Sequence, residues 1–352
     1  MRALQPTAQL VNRKATKKRA IEGTESTEMK KRDDSSELSP SGPAGPAPPD
    51  LSGVVSAAKE SRMAYALITP AHNEEAYIEK TIQSVVSQTV LPDMWVVVSD
   101  GSTDGTDGIV AKYAAKHDFI KLVRIDRDPT RDFGSAIRAI NTGYEQLKGV
   151  EYDYVGNLDA DVVLEPNYYQ TILAKFQANP KLGLAGGLVC DCHWNKACPI
   201  FTAVDSVGGP IQMFRRECYE QIGGHTCIGM GGYDTVAEIK TRMHGWQVRT
   251  FPEIKVLHLR RTGTATGSIL SARFRQGKME RRIGYHALFE VAKCLSRVRE
   301  RPYLLGSVFR LSGYCWSFLG RERSVLPADV TAYLRGEQLA KLKALFRCRR
   351  FT

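Results

Sequence analysis

Short apolar runs alternate with amphipathic stretches through the middle of the chain. An apolar run of about four to eight residues, bounded by turn residues, is typical of a buried strand. Such runs predict four strands, at residues 64–69, 94–98, 121–125 and 154–158. We expect the first strand to stop at Pro70, because proline cannot donate a backbone hydrogen bond to a neighbouring strand.

The segments between these strands have apolar residues at helical spacing. Residues 73–75 are expected to open a helix whose inward positions include Ile78, Ile82 and Val85. A second helix is predicted soon after residue 106, and a third over residues 135–147. Strand and helix therefore alternate, which predicts an α/β fold with a mostly parallel, twisted sheet flanked by helices.

The two ends of the chain differ from this middle part. Residues 1–62 are rich in polar residues and proline, which predicts a disordered tail and linker. Residues 63–272 form the predicted folded domain, with 20 Lys or Arg against 24 Asp or Glu. Residues 273–352 are predicted to be helical and carry 18 Lys or Arg against 6 Asp or Glu. A near-neutral body with a basic end suggests that only this end contacts an anionic surface.

Two carboxylates, Asp159 and Asp161, follow the fourth predicted strand with one small residue between them. Close carboxylates repel each other, and a hard divalent cation such as Mg²⁺ or Mn²⁺ removes that conflict. In parallel α/β sheets, ligands bind beyond the carboxyl ends of the strands. Residues 70–75 and 100–104 follow strands in the same way, so we expect one crevice to collect all three segments.

The common glycine-rich phosphate-binding motifs are not present. The chain has no G-x-x-x-x-G-K-[ST] segment, which disfavours a P-loop nucleotidase. The loop after the first predicted strand has no glycine, which disfavours a dinucleotide-dependent dehydrogenase. What remains is a nucleotide held by carboxylates, backbone groups and a metal ion.

Three segments, in this order and spacing, resemble the inverting glycosyltransferases of family 2, which have the GT-A fold. They are TPAHNEE at residues 69–75, VSDGSTDGT at 98–106 and NLDAD at 157–161. Residues 131–143 and 212–224 resemble further family segments, so the resemblance covers about residues 63–265. It implies a nucleoside-diphosphate sugar donor, linked to UDP or GDP, and a Mg²⁺ or Mn²⁺ cofactor.

The resemblance also assigns roles residue by residue. Asp100 matches the carboxylate that contacts the base or ribose of the donor. The nucleotide pocket would be lined by Pro70, Ala71 and Glu74. A weaker match places Arg131 at the diphosphate. The metal and diphosphate would be held by Asp159 and Asp161, with His258 as a further metal ligand at a strand end. Beside it, Arg260 and Arg261 are candidates to neutralise the diphosphate.

The catalytic base is expected after the glycine-rich segment at residues 229–232. An inverting transfer needs a base within reach of the acceptor hydroxyl. Family members usually have Glu-Asp at the start of the next helix, and this chain has Tyr233 and Asp234. The motif therefore assigns the base to Asp234. Its rival is Glu238, one helical turn later on the same face. Without a catalytic role, Asp234 would be a helix cap and Glu238 a solvated residue.

Residues 302–319 are the one stretch that suggests membrane contact. A central Arg310 makes this a poor span. The pattern is amphipathic instead, with Leu304, Val308 and Leu311 in one stripe and Gly306 and Arg310 on another. Such a helix among basic residues suits the surface of an anionic membrane. An alternative is a helix packed on the catalytic domain with a solvated basic face.

The expected function is an inverting, metal-dependent transfer of a sugar to a hydroxyl of a glycan or a lipid-linked glycan. Cell-surface polysaccharide or glycolipid synthesis would fit this chemistry. The alternatives are a polyprenyl-phosphate sugar transferase and a non-catalytic protein that binds sugar nucleotides or glycans. Nucleic acid is not an expected partner, because no RNP-like or zinc motif accompanies the basic end. The first thirty residues have no apolar signal region, which favours a cytoplasmic protein. The basic C-terminal end suggests a peripheral position on the inner face of the plasma membrane.

Overall fold

The structure is a computed structural model that describes residues 63–126, 134–193, 196–199, 203–229, 231–260, 268–300 and 302–348. The predicted disordered tail and Arg131 lie outside these residues. From Met63 onward the described residues belong to one compact unit.

Nine strands in the described residues form a single sheet. They are β1 (Tyr65–Ala71), β2 (Met94–Asp100), β3 (Ile120–Ile125), β4 (Tyr154–Asn157), β5 (Val162–Leu164), β6 (Leu182–His193), β7 (Lys196–Pro199), β8 (Met213–Arg215) and β9 (Gln247–His258). The order across the sheet is β3-β2-β1-β4-β8-β6-β9-β5, with β7 paired to β6.

The four strands predicted from the apolar runs are parallel neighbours, as expected. β1 pairs with β2 on one side and with β4 on the other, and β3 lies beyond β2. The later strands make the sheet mixed, because β8 runs antiparallel to both β4 and β6. The parallel arrangement was therefore right for the first half of the sheet, and the second half adds antiparallel pairs.

Two local predictions need correction. β1 does not stop at Pro70 but continues to Ala71. Its pairing with β4 ends at Ile68, so Pro70 has a neighbouring strand on one side only, where a missing N–H is tolerated. The first helix begins at Ile78 and not at residues 73–75, because that loop bonds to the loop after β2.

Ten helices occur in the described residues. They are α1 (Ile78–Val86), α2 (Thr106–Ala114), α3 (Ser135–Glu145), α4 (Tyr168–Ala178), α5 (Arg216–Gln221), α6 (Tyr233–Met243), α7 (Ile269–Ile283), α8 (Ala287–Ser296), α9 (Tyr303–Leu319) and α10 (Ala328–Cys348). One hydrophobic core joins the sheet to α1, α2 and α4, and a second joins it to α3, α5 and α6. The sheet therefore lies between two helical layers.

The C-terminal helices pack on α6. Val236 and Ile239 of α6 share a third core with Ile283 of α7 and with Val330 and Leu334 of α10. The residues after the sheet thus support the helix that bears Asp234. In the described residues, none of the helices has the length and apolar character needed to span a membrane.

Candidate active site

Asp159 and Asp161 lie on a tight turn between β4 and β5. The N–H of Asp159 donates to the carbonyl of Pro210 at 3.0 Å. The carbonyl of Asp161 accepts from the N–H of Leu259 at 2.8 Å. These bonds tie the turn to two other parts of the fold, so both carboxylates have fixed positions at the carboxyl edge of the sheet.

His258, the last residue of β9, completes a cluster with these carboxylates. Ligand atoms of Asp159, Asp161 and His258 all lie within 4.8 Å of one another. The Nε2 atom of His258 is 3.2 Å from Oδ1 of Asp161. Two carboxylates and an imidazole are a donor set that suits Mg²⁺ or Mn²⁺. The three residues therefore fit the metal ion that the motif implies.

The charges of this cluster are strongly coupled. Burial and the neighbouring charge of Asp161 raise the pKa of Asp159 to about 7. Burial by itself would lower the pKa of His258, but hydrogen bonds to Asp161 and Asp191 outweigh it and raise this pKa to about 10. Two acids thus share a site that favours an added positive charge.

Asp191 on β6 is a site residue that the sequence analysis missed. Its Oδ1 atom lies 2.9 Å from Nδ1 of His258. The pairing of β6 with β9 places the two residues directly opposite each other. A carboxylate on one imidazole nitrogen directs the other nitrogen toward a metal. The signal for this contact is the strand register, which a single sequence does not contain.

Arg260 and Glu74 border the metal cluster. Glu74 pairs with the Arg260 guanidinium, whose Nε atom is 3.2 Å from Oδ2 of Asp161. The guanidinium also stacks 5.0 Å from the ring centroid of Tyr77. Burial raises the pKa of Glu74 to about 7, although Arg260 offsets part of this effect. Arg260 thus lies beside the metal cluster, and Arg261 lies outside the described residues.

The residues expected to hold the nucleotide are at the same edge of the sheet. Pro70 and Ala71 end β1, and Asp100 ends the neighbouring β2. Nδ1–H of His72 donates to the carbonyl of Asp100 at 2.7 Å. This bond joins the two strand ends directly.

The loops after these strands are also bonded to each other. The N–H of Asn73 donates to Ser102, and that of Glu74 donates to Oγ1 of Thr106 at 2.8 Å. Asn73 has a φ of 55°, a left-handed conformation that asparagine tolerates. These contacts explain why α1 starts late and give the loops a shared, fixed shape.

Asp234 lies in the first turn of α6, two residues after Gly232; the φ values of Gly231 and Gly232 are +82° and +83°. Burial raises the pKa of the Asp234 carboxyl. The hydrogen bond that it accepts from the N–H of Thr235 at 2.8 Å offsets only part of this effect. The charge of Asp234 also contributes to the raised pKa of Asp159. A side chain added at Gly209 would meet the Asp234 carboxylate, and the carbonyl of the next residue, Pro210, accepts from the N–H of Asp159. The same short segment thus contacts both Asp234 and Asp159.

Glu238 is near Asp234 but has other partners. Its Oε1 atom accepts from the N–H of Val207 at 2.7 Å and from the hydroxyl of Ser206 at 2.9 Å. Burial and the charge of Asp234 raise its pKa to about 8. Glu238 is buried and not solvated, and its described bonds anchor the loop before the Gly209–Ile211 turn.

Tyr233 takes the place of the usual glutamate and packs into an aromatic group. Its ring meets the His225 ring edge-on, with centroids 5.2 Å apart. His225 in turn lies 2.5 Å from the side-chain nitrogen of Asn157 at the end of β4. This contact links the start of α6 to the strand that presents Asp159. His225 and Asn157 were not predicted as site residues.

Comparison with known proteins agrees with this geometry. Residues 66–196 match the sequence model of the family described as Glycosyl transferase family 2, a range that contains Asp100, Asp159 and Asp161. Residues 66–196 of the chain therefore match a glycosyltransferase family 2 domain.

Similar proteins include a poly-beta-1,6-N-acetyl-D-glucosamine synthase of Staphylococcus epidermidis, 29% identical over 140 residues. That match covers 40% of this chain and 32% of the relative, so the chain spans about a third of the relative's length. Among solved structures, the chain is similar to mannosyltransferase PcManGT from Pyrobaculum calidifontis, in complex with GDP-Man and Mn²⁺. The TM-score is 0.47 at 20% identity, covering 80% of this chain and 76% of the other. The structure of GalNAc-T7 with UDP, GalNAc and Mn²⁺ gives a TM-score of 0.49 at 14% identity, covering 74% and 56%.

Proposed function

We propose that the protein is an inverting, metal-dependent glycosyltransferase. It moves one sugar from a nucleoside-diphosphate sugar to a hydroxyl of a glycan or a lipid-linked glycan. The observation that carries this proposal is the convergence of Asp159, Asp161 and His258 within 4.8 Å at the carboxyl edge of the sheet.

The donor nucleotide lies along the ends of β1 and β2 in this proposal. Asp100 contacts the base or ribose, and Pro70, Ala71 and Glu74 line the pocket, with Arg131 assigned to the diphosphate by the motif. The guanidinium of Arg260 lies next to Asp161 and would add a second positive charge for the diphosphate. Charge-assisted bonds to phosphate are the strong ones, and arginine suits them. A UDP-linked and a GDP-linked donor both fit this arrangement.

Asp159, Asp161 and His258 would hold Mg²⁺ or Mn²⁺, which supplies positive charge to the diphosphate as it leaves. Asp191 orients His258 for this role through its 2.9 Å contact with Nδ1.

Asp234 takes the proton of the acceptor hydroxyl. The hydroxyl oxygen forms a bond to the anomeric carbon while the bond from that carbon to the diphosphate oxygen breaks. The electron pair of that bond leaves with the nucleoside diphosphate, and one displacement inverts the anomeric centre. A raised pKa suits a general base that works near neutral pH. Because Gly231 and Gly232 have no side chains, the acceptor can approach the carboxylate closely.

A polysaccharide or glycolipid precursor is the proposed acceptor. The similarity to a poly-beta-1,6-N-acetyl-D-glucosamine synthase supports a glycan product, although the match covers only part of that protein.

A donor panel tests the proposal. The purified chain is incubated with UDP- and GDP-linked sugars, with Mn²⁺ or with EDTA, and with either a hydroxyl-bearing glycan or a polyprenyl phosphate. We expect metal-dependent release of UDP or GDP with the glycan acceptor, and NMR should show an inverted anomeric linkage. Transfer to the phosphate alone would favour a polyprenyl-phosphate sugar transferase. Donor binding without any transfer would favour a non-catalytic binding protein, and a retained anomeric configuration would contradict the mechanism.

A further inference from the structure

Helix α9 presents its apolar residues outward. Its buried positions are mostly small or polar and include Gly306, Arg310, Gly313 and Ser317. The outer face of α9 is exposed and includes Leu304, Leu305, Val308, Phe309, Trp316, Phe318 and Leu319. Trp316 is 64% exposed and Leu319 is 77% exposed. A helix on a water-facing protein surface has the opposite arrangement.

Helix α8 repeats the arrangement. Leu288, Val291 and Leu295 recur at helical spacing and are all exposed, whereas Glu290 is buried. Contiguous exposed apolar surface of this kind marks an interaction site. Together with the outer face of α9, these three residues form what we call the outer face of α8 and α9.

The interior beneath this face is charged. The Nε atom of Arg310 is 2.8 Å from Oε2 of Glu280 and 3.1 Å from Oε1 of Glu290. The Glu280 carboxylate also pairs with Lys293 at 2.9 Å. Arg310, Glu280 and Glu290 are nearly inaccessible to solvent, and Arg310 is 2% exposed. Burial of charges is costly in water-soluble proteins.

Helices α7 and α9 pack closely because each has a glycine at their contact. A side chain at Gly277 would collide with the carbonyl of Arg310, and one at Gly313 would collide with the carbonyl of Phe274. Gly277 and Gly313 thus allow the inner sides of α7 and α9 to pack closely, and the large apolar residues of α9 remain on the outside.

Basic residues border the outer face. Arg281 lies 5.3 Å from the ring centroid of Phe318. Arg299 lies exposed between α8 and α9, and Arg321 and Arg323 are exposed directly after α9. Residues 273–352 carry 18 Lys or Arg against 6 Asp or Glu. Basic residues beside an apolar face are complementary to anionic headgroups.

We propose that the outer face of α8 and α9 docks into the headgroup region of an anionic bilayer. α9 has 17 residues and lies in the interface, because a span needs about 20 apolar residues. This attachment goes beyond sugar transfer and does not depend on it, since the outer face is separate from Asp159, Asp161 and Asp234. Transfer to a soluble acceptor is therefore expected without any membrane.

Point substitutions test the proposal better than removal of the C-terminal helices, because α7 and α10 support α6. The full chain and the triple variant Leu305→Ser, Trp316→Ser, Leu319→Ser are sedimented with vesicles of phosphatidylcholine, with or without phosphatidylglycerol. The matched control is Leu91→Ser with Val204→Ser, which changes exposed apolar residues elsewhere on the chain. Circular dichroism and thermal unfolding confirm that each variant is folded.

We expect the unsubstituted chain and the control to bind vesicles that contain phosphatidylglycerol, and added salt to weaken that binding. The triple variant should bind about tenfold more weakly for each residue replaced. Brominated lipid should quench Trp316, and Trp316→Phe should lose that quenching. The proposal is overturned if no vesicles bind, if the triple variant binds like the control, or if the triple variant only abolishes self-association. Unchanged transfer to a soluble acceptor in the triple variant keeps this test separate from that of the proposed function.

Discussion

The contact between Asp191 and His258 gives the most specific prediction about the metal cluster. Asp191→Asn keeps the size of the side chain but removes the charge that faces Nδ1 of His258 at 2.9 Å. Without that charge, Nδ1 of His258 loses its carboxylate partner, and the ring is held less firmly in its orientation toward Asp161. Loss of such a supporting contact typically lowers metal affinity about 10- to 100-fold, or about 1.4–2.8 kcal/mol.

The measurement is direct Mn²⁺ binding, by calorimetry or electron paramagnetic resonance, so that it does not depend on turnover. Asp107→Asn is the matched control, because Asp107 of α2 pairs with Arg124 of β3 at 2.8 Å and does not belong to the metal cluster. We expect the control to bind Mn²⁺ like the unsubstituted chain. If Asp191→Asn also binds Mn²⁺ with unchanged affinity, Asp191 does not orient a metal ligand and the reasoning is refuted.

Three further predictions concern the base, its neighbour and the helix contact. Asp234→Asn should lower kcat about 10²–10⁴-fold with little change in nucleotide affinity. Glu238→Gln should lower kcat less, because Glu238 is bonded to Ser206 and Val207. Steady-state kinetics and a nucleotide-binding assay measure both effects, and the opposite ranking would assign the base to Glu238. Glu238 has a folded pKa of about 8 against an ordinary 4.5, so its contribution to stability is complete below pH 4.5 and is lost as the pH rises to about 8. Urea unfolding at several pH values should show that the free energy of unfolding falls over this range in the unsubstituted chain but not in Glu238→Gln. An equal dependence of that free energy on pH in both proteins would argue against this role of Glu238. Gly277→Ala should destabilise the fold by several kcal/mol, because the added methyl group meets the Arg310 carbonyl. Gly336→Ala in α10 has open space around it and should be neutral or stabilising by about 0.4–1 kcal/mol. Similar melting temperatures for the two variants would contradict the close approach of α7 and α9.

Local patterns were sufficient to predict the first half of the fold. The apolar runs that form β1 to β4 and the helical spacing in α1 depend on near neighbours, and Ile78, Ile82 and Val85 are buried as predicted. The Asp159–Asp161 motif lies at a strand end for the same reason. The departures at Pro70 and at residues 73–75 arise from contacts with other strands and loops, which local spacing does not reveal.

The remaining site contacts join residues that are far apart in the chain. Asp191 and His258 are separated by 67 positions, and Glu74 and Arg260 by 186. These pairs depend on the register of β6 with β9 and on the position of β9 in the sheet. The sequence also showed the two stripes of residues 302–319, but not that Gly306 and Arg310 would face inward. That orientation depends on Gly277 and Glu280 of α7.

Donor binding by Asp161→Asn is the most direct test of the central claim. In a thermal-shift assay with UDP- and GDP-linked sugars, the unsubstituted chain should be stabilised by one donor class only when Mn²⁺ or Mg²⁺ is present. Asp161→Asn should melt like the unsubstituted chain without ligand, lose the metal-dependent shift and lose nearly all transfer. An equal donor-induced shift in EDTA, or normal turnover by Asp161→Asn, would contradict a metal-held diphosphate at Asp159, Asp161 and His258.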